Sequence, residues 1–284
     1  MIKVRLFGGL GNQLFQYFAA KHVQNLLGCK LVFDFSSLNN GHGHTDSDIR
    51  DFSFFQSEQT MSIHNQKYLN RLYFRMCNLI ARKLKFGSRL LRIDAPGRRE
   101  PSISKYLKCG WKMQGYYQDF NFFNEVAPTL DKFDWTLATP SIRLNELVQI
   151  YRKSNVVGMH IRGGDYLNHQ NLYSNLDSNY YQHALELVKS KIHIEKVVVF
   201  TDDMTHANRI MSKLRSCNFE LAPELSPSET LILLSHCRGI VTANSTFSSW
   251  AAVASDRAEI IINPKKWYIN SEKTIPLIDR AITI

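Results

Sequence analysis

No apolar run in this chain approaches the roughly 20 residues that a membrane-spanning helix needs. Met1-Ile2-Lys3 leads straight into a strand-like segment rather than a signal peptide, so the expected location is the cytoplasm. The five cysteines, at positions 29, 77, 109, 217 and 237, are odd in number and form no CxxC pair. That scatter argues against a disulfide framework or a zinc site and for reduced thiols. Also missing are a correctly spaced GxGxxG fingerprint, a DxD metal-binding pair, an RNP motif, a zinc finger and a basic tail. A metal-centred site and nucleic-acid binding lose support together.

What is present is enough to fold. With 284 residues, 44% of them hydrophobic and 12% aromatic, the chain can bury a full core as one large domain or two ordinary ones. A formal charge of +10 points to an anionic partner, either a membrane face or a small substrate. The excess is spread along the chain, with a modest concentration at 71–99.

The pattern divides near 139/140, where Pro140 follows a threonine-containing stretch. In 1–139 a strand at 2–7, a glycine turn at 8–11, a helix at 12–27 and a strand at 30–34 make a βαβ opening. A polar loop at 36–51, a basic and aromatic helical stretch at 66–84, a loop at 96–101 and a segment at 110–120 follow. In 140–284 the short β-branched runs 156–161, 196–201, 239–243 and 259–263 alternate with helical patterns at 180–192, 205–214, 228–237 and 247–255. Such alternation predicts an α/β fold with a parallel sheet wrapped by helices.

In an open α/β sheet, ligands bind beyond the carboxyl ends of the strands. Three strand ends in the second half carry unusual chemistry. At "HIRGGD", His160 and Arg162 share a strand face, and two glycines let the backbone turn and a ligand approach. A guanidinium suits phosphate, although an Arg162–Asp165 pair closing a turn is an equally simple reading. At "FTDD", one of Asp202 and Asp203 caps the next helix and the other is left for a ligand. At "TANSTFSSW", hydroxyls and a helix start make a phosphate cradle, with plain N-capping by Ser245 or Thr246 as the competing account. Together the three describe a nucleotide-diphosphate site. In the first half, "GGLGNQ" is a strand–glycine loop–helix element whose helix start suits a substrate, or is simply a turn capped by Asn12.

"GGLGNQLFQY", "HIRGGDY", "FTDD" and "ETLILLSHCRGIVTANSTFSSWAA", in this order over nearly the whole chain, resemble the bacterial α-1,2-fucosyltransferases of glycosyltransferase family 11. The resemblance implies a GT-B-like fold: two Rossmann-like halves, with parallel sheets facing a central cleft. Residues 1–139 would bind the acceptor and 140–284 the donor, GDP-β-L-fucose. It implies an inverting, metal-independent transfer, with no cofactor, to the 2-hydroxyl of a terminal galactose, as in O-antigen synthesis. Carried over by position, Arg162 holds the donor β-phosphate, and His160 with Asp202 or Asp203 lies around the nucleoside. Asn244, Ser245, Thr246 and Phe247 grip the diphosphate and base, while Gly11, Asn12 and Gln13 lie near the transferred sugar.

Three positions depart from that pattern: Gly163 replaces a second arginine, Gly239 a histidine, and Ser249-Trp250 an aromatic pair. Lys265 or Lys266 is the candidate replacement cation. Arg162, Asp165 and Asn12 are the expected catalytic residues, Asp165 as either base or partner of the arginine. The acceptor is a galactose-terminated oligosaccharide or a lipid-linked glycan, with His42, His44, Asp46 and 116–123 in the half that should bind it. A lipid-linked acceptor would bring the protein to the inner face of the plasma membrane, where 71–99 meets anionic lipid; a solvated helix face is the other reading. Transfer of another GDP-sugar, another linkage, and a non-enzymatic basic protein binding nucleic acid or lipid are the alternatives.

Overall fold

The computed structural model describes residues 1–38, 49–60, 90–93, 112–130, 133–164, 173–174, 176–215, 217–269, 278 and 280–284. Two compact units divide it, Met1–Asp134 and Trp135–Ile284. The division lies a few residues before the boundary expected at 139/140. The stretches 66–84 and 96–101, His42, His44, Asp46 and most of 71–99 fall outside the described residues.

The first unit is built on a four-stranded parallel sheet in the order β2-β1-β4-β3, with β1 Ile2–Arg5, β2 Leu31–Asp34, β3 Leu90–Ile93 and β4 Lys112–Gly115. Strand β4 lies inside the segment 110–120, for which the sequence predicts no element, because its "KMQG" carries one apolar side chain and shows no period. Helix α1, Leu10–Leu27, covers the sheet and buries Leu14, Phe15, Phe18 and Val23. It ends on Gly28, whose φ of 61° lets its amide reach Gln24 O. Phe18 packs edge-on against Phe123 of helix α2, Asn121–Val126, and against Phe133.

The second unit carries six parallel strands, β5 Val156–Ile161, β6 Lys196–Thr201, β7 Phe219–Leu221, β8 Gly239–Val241, β9 Ile260–Asn263 and β10 Ile282–Thr283. Their spatial order is β10-β9-β8-β5-β6-β7. Counted within the unit, that is 6-5-4-1-2-3, the doubly wound order of the dinucleotide-binding Rossmann fold. The helices are α3 Ile142–Lys153, α4 Ser178–Lys189, α5 Met204–Met211, α6 Pro227–Ser235 and α7 Thr246–Ala254. All six residues of β5 are buried, as a parallel strand covered on both faces requires. Helix α4 buries Tyr181, Ala184, Leu185 and Val188, spaced for one helical face, against Val157, Met159, Val197 and Val199. The expected α/β class with parallel sheets in both halves is the one observed. The short edge strands β7 and β10 and helix α3 gave no sequence signal strong enough to be expected.

Two findings refine the picture. Cys29 is disulfide-bonded while Cys217 and Cys237 are free, which corrects the expectation of reduced thiols throughout. Linear spacing cannot tell which thiols a fold brings within bonding distance. Among the described residues, no helix is long and apolar enough to cross a membrane.

On the second face of β5, Gly158 sits where a Cβ would lie 2.4 Å from Leu234 Cδ1 and 2.9 Å from Cys237 Sγ. Both neighbours are fully buried and have nowhere to retreat. Gly158→Ala should therefore cost about 1–3 kcal/mol, the range of overpacked core positions, read as a lower urea midpoint. An unchanged midpoint would show that α6 yields freely.

Candidate active site

The doubly wound order reverses direction between β5 and β8, and their carboxyl ends flank the crevice that such sheets leave open. Arg162 is the first residue beyond β5. Its Nη1 lies 2.7 Å from Asp202 Oδ2, with the two side chains 17% and 31% exposed. The other Asp202 oxygen accepts the Gly163 N–H at 2.9 Å. One partner of the arginine is thus an acid one strand away. Asp165, the partner considered from sequence, lies outside the described residues. A half-exposed pair of this kind contributes little stability, roughly 0–1 kcal/mol, but it fixes where the guanidinium points.

Both glycines of "RGGD" are demanded by these acids. A Cβ on Gly163 would lie 2.5 Å from Asp203 Cβ, and one on Gly164, at φ +43°, would lie 2.5 Å from Asp202 Oδ2. The Gly163 departure is therefore a packing requirement. Asp203 caps α5 by accepting the His206 N–H at 2.9 Å, the capping role expected of one acid. The other acid, expected to be left for a ligand, is instead occupied by Arg162 and Gly163. Its two carboxylate oxygens still hold lone pairs beyond those two bonds.

His160, at the end of β5, is 4% exposed, and its Nδ1 has no hydrogen-bond partner. Its carbonyl accepts from Tyr181 Oη at 3.2 Å, and its ring centroid is 5.6 Å from that of Phe247. Burial first, then the Arg162 charge, pushes its pKa down to about 3. The imidazole is neutral at any physiological pH, so it offers a hydrogen bond rather than a charge.

Helix α7 begins beside it. Ser245 is the N-cap residue, yet no side chain caps the helix and its first turn holds no acid. Elsewhere in the unit, α3, α4, α5 and α6 are capped by Ser141, Asp177, Asp203 and Ser226. Several groups expected to cradle phosphate are turned inward. Asn244 Nδ2 donates to Ser174 O at 2.8 Å and to Trp267 O at 3.3 Å. Ser248 Oγ accepts the Ala243 N–H, and Ser249 Oγ donates to Ser245 O. They hold the loop in shape, and the opening of the helix is left to backbone amides at Thr246 and Phe247, both half-buried. Lys265 and Lys266 are exposed beyond β9.

In the first unit β1 and β4 are the two central, parallel neighbours, so their carboxyl ends lie side by side at one end of the sheet. Beyond β1, Gln13 donates to Gly8 O at 3.0 Å and accepts the Ile49 N–H at 3.1 Å. Gln16 clamps both polar groups of Phe7 in the same way. Gln13 is fully buried, so both ends of its amide serve the loop and none is left for a ligand. Gly11 is buried in the first turn of α1. Asn12 instead accepts a hydrogen bond, at 3.0 Å, from Gln118 beyond β4. The sequence marks Gln118 only as part of 116–123, on the side expected to bind the acceptor, because the strand it follows gives no period. Among the described residues, no group of three or more His, Cys, Asp or Glu gathers as a metal site.

A family model described as "Glycosyl transferase family 11" matches residues 1–276. A protein named "O-antigen biosynthesis glycosyltransferase WbnK", from Escherichia coli, is 26% identical over 306 residues, covering 98% of this chain and 99% of that one. An "Alpha-1,2-colitosyltransferase" of the same species is 25% identical, covering 96% and 94%. Among solved structures, the fucosyltransferase NodZ from Bradyrhizobium matches with a TM-score of 0.48 and 12% identity, over 89% of this chain and 93% of that one.

The burial of His160 has a consequence for stability. Its folded pKa, about 3, is below the ordinary 6.5, so the unfolded chain takes up the proton first as pH falls. Its contribution is therefore intact above about pH 6.5 and is lost between there and about pH 3. Urea unfolding across this window should decline less steeply for His160→Gln, by up to about 1.4 kcal/mol per pH unit. Parallel curves would contradict the burial.

Proposed function

The chain belongs to glycosyl transferase family 11, and from that premise we propose that it transfers L-fucose from GDP-β-L-fucose to the 2-hydroxyl of a terminal galactose, with inversion. One observation carries the reading: an arginine and an uncapped helix start meet at the strand reversal of a doubly wound sheet. Breaking the sugar–phosphate bond builds negative charge on the departing GDP. Arg162 and the α7 amides meet that charge, the arginine by charge-assisted hydrogen bonds and the helix through its positive end. Held in place by Asp202, the guanidinium need not reorganise as the charge develops. The His160 Nδ1 and the Phe247 ring serve the nucleoside. The reaction is proposed to need neither metal nor cofactor.

His160, buried and neutral, is assigned to the nucleoside and not to the acceptor proton. Asp165, three residues past Arg162, is the proposed base or orienting group. Residues of the first unit, Asn12 among them, bind the sugar-bearing side of the reaction. The relative named for O-antigen biosynthesis supports a role in surface polysaccharide synthesis; the proposed acceptor is an oligosaccharide or a lipid-linked glycan, the latter met at the inner membrane face. The relative named as an α-1,2-colitosyltransferase favours a second reading, in which the transferred sugar lacks the fucose 3-hydroxyl.

Offering GDP-fucose and GDP-colitose separately with galactose-terminated glycans, and locating the new linkage by NMR, decides between them. Faster turnover of GDP-fucose to an α-1,2 product is expected; preference for GDP-colitose assigns the second reading, and product from neither ends both. With the accepted donor, Arg162→Ala should lower kcat/KM by about 100-fold or more, the loss of one strong transition-state donor. A variant within threefold of the wild type would contradict the role given to Arg162.

A further inference from the structure

The first unit holds a polar group that none of these roles uses. Gln118 Nε2 donates to Asn12 Oδ1 at 3.0 Å across 106 residues of sequence. Its other amide atom, Oε1, is buried and has no hydrogen-bond partner. Buried amide oxygens without partners are rare, and each calls for a reason. Reversing the amide would not remove the problem, because one end would still face Asn12 and the other would still be bare.

The backbone around it is also unusual. Tyr117, at φ 50°, is the one described residue other than glycine with a positive φ. The Asp119 N–H donates to its carbonyl at 2.8 Å, fixing the turn that carries Gln118. On the facing loop, a Cβ at Gly8 would lie 2.9 Å from Asn12 Nδ2, so Asn12 rests directly on a glycine that has to be bare. The parallel pairing of β1 with β4 sets both loops at one end of the sheet.

We infer that Gln118 is a substrate-binding residue whose free amide end takes a hydroxyl of a sugar, with Asn12 as the positioning residue that aims it. The inference rests on the glycosyl-transfer reading above. An amide suits this task because a hydroxyl both donates and accepts, and so satisfies a neutral amide without bringing charge into a buried site. The hydroxyl belongs either to the transferred sugar or to the acceptor.

Gln118→Met keeps the length of the side chain and removes both polar atoms. It should lower kcat/KM by about tenfold or more, the scale of one lost hydrogen bond to a site built for a hydroxyl. The change should fall on the KM of one substrate only, and calorimetric GDP affinity should stay within twofold of the wild type. Deoxy analogues locate the source: the 3-, 4- and 6-deoxy forms of a methyl β-galactoside probe the acceptor, and GDP-colitose against GDP-fucose probes the donor. The wild type should discriminate against one analogue, and Gln118→Met should not. Equal losses on every substrate together with weaker GDP binding would make Gln118 merely structural and overturn the inference. So would a variant within twofold of the wild type throughout. A wild-type chain that transfers no sugar would remove the functional reading itself, a result distinct from an active wild type with an indifferent variant.

Discussion

A guanidinium at the end of a wholly buried strand has to be held by something, and here a carboxylate on the neighbouring strand does it. The parallel register pairs His160 with Phe200 and Ile161 with Thr201, which brings Arg162 level with Asp202. Much else follows from that pair. One Asp202 oxygen holds the arginine and the other the Gly163 amide, so strand end and turn are locked together. The acids stand so close to the turn that neither 163 nor 164 has room for a side chain. On this backbone a second arginine at 163 has no room, and the positive end of α7 is the group proposed to share the charge with Arg162.

The two units answer different demands with parallel sheets of different strand order. Each places a loop and an uncapped helix start beyond the carboxyl end of a central strand, β1 in the first and β8 in the second. The second unit furnishes its reversal with a cation, a neutral buried imidazole and open amides, which suit a diphosphate and a nucleoside. The first furnishes its strand ends with side-chain amides: Gln13 and Gln16 shape the loop, and Asn12 and Gln118 form the outer pair. Neutral amides suit hydroxyls. The proposed division of labour, nucleotide in one unit and sugar in the other, follows from those chemistries.

Most of the second unit was legible because buried parallel strands read as short β-branched runs. The strands at 156–161 and 196–201 and the four helices after β5 came out close to their observed bounds. What escaped was edge structure: β7 has one half-buried and two exposed residues, and β10 is two residues long, so neither carries a hydrophobic period. In the site, the residue types at 160, 162, 202 and 203 were legible, but their pairing was not. Arg162 and Asp202 meet only through strand register, which no local pattern encodes. The same holds for Asn12 and Gln118, separated by 106 residues, and for Gln13, whose polar side chain reads as a ligand-binding group until its two backbone partners are seen.

The most direct measurement is a crystal structure of the chain grown with GDP. The account predicts the diphosphate at the first turn of α7, within hydrogen-bond distance of both the Thr246 or Phe247 amide and an Arg162 nitrogen, with Asp202 still holding the guanidinium from its other side. GDP bound away from the β5–β8 reversal, or a diphosphate there with Arg162 turned wholly to Asp202, would contradict it.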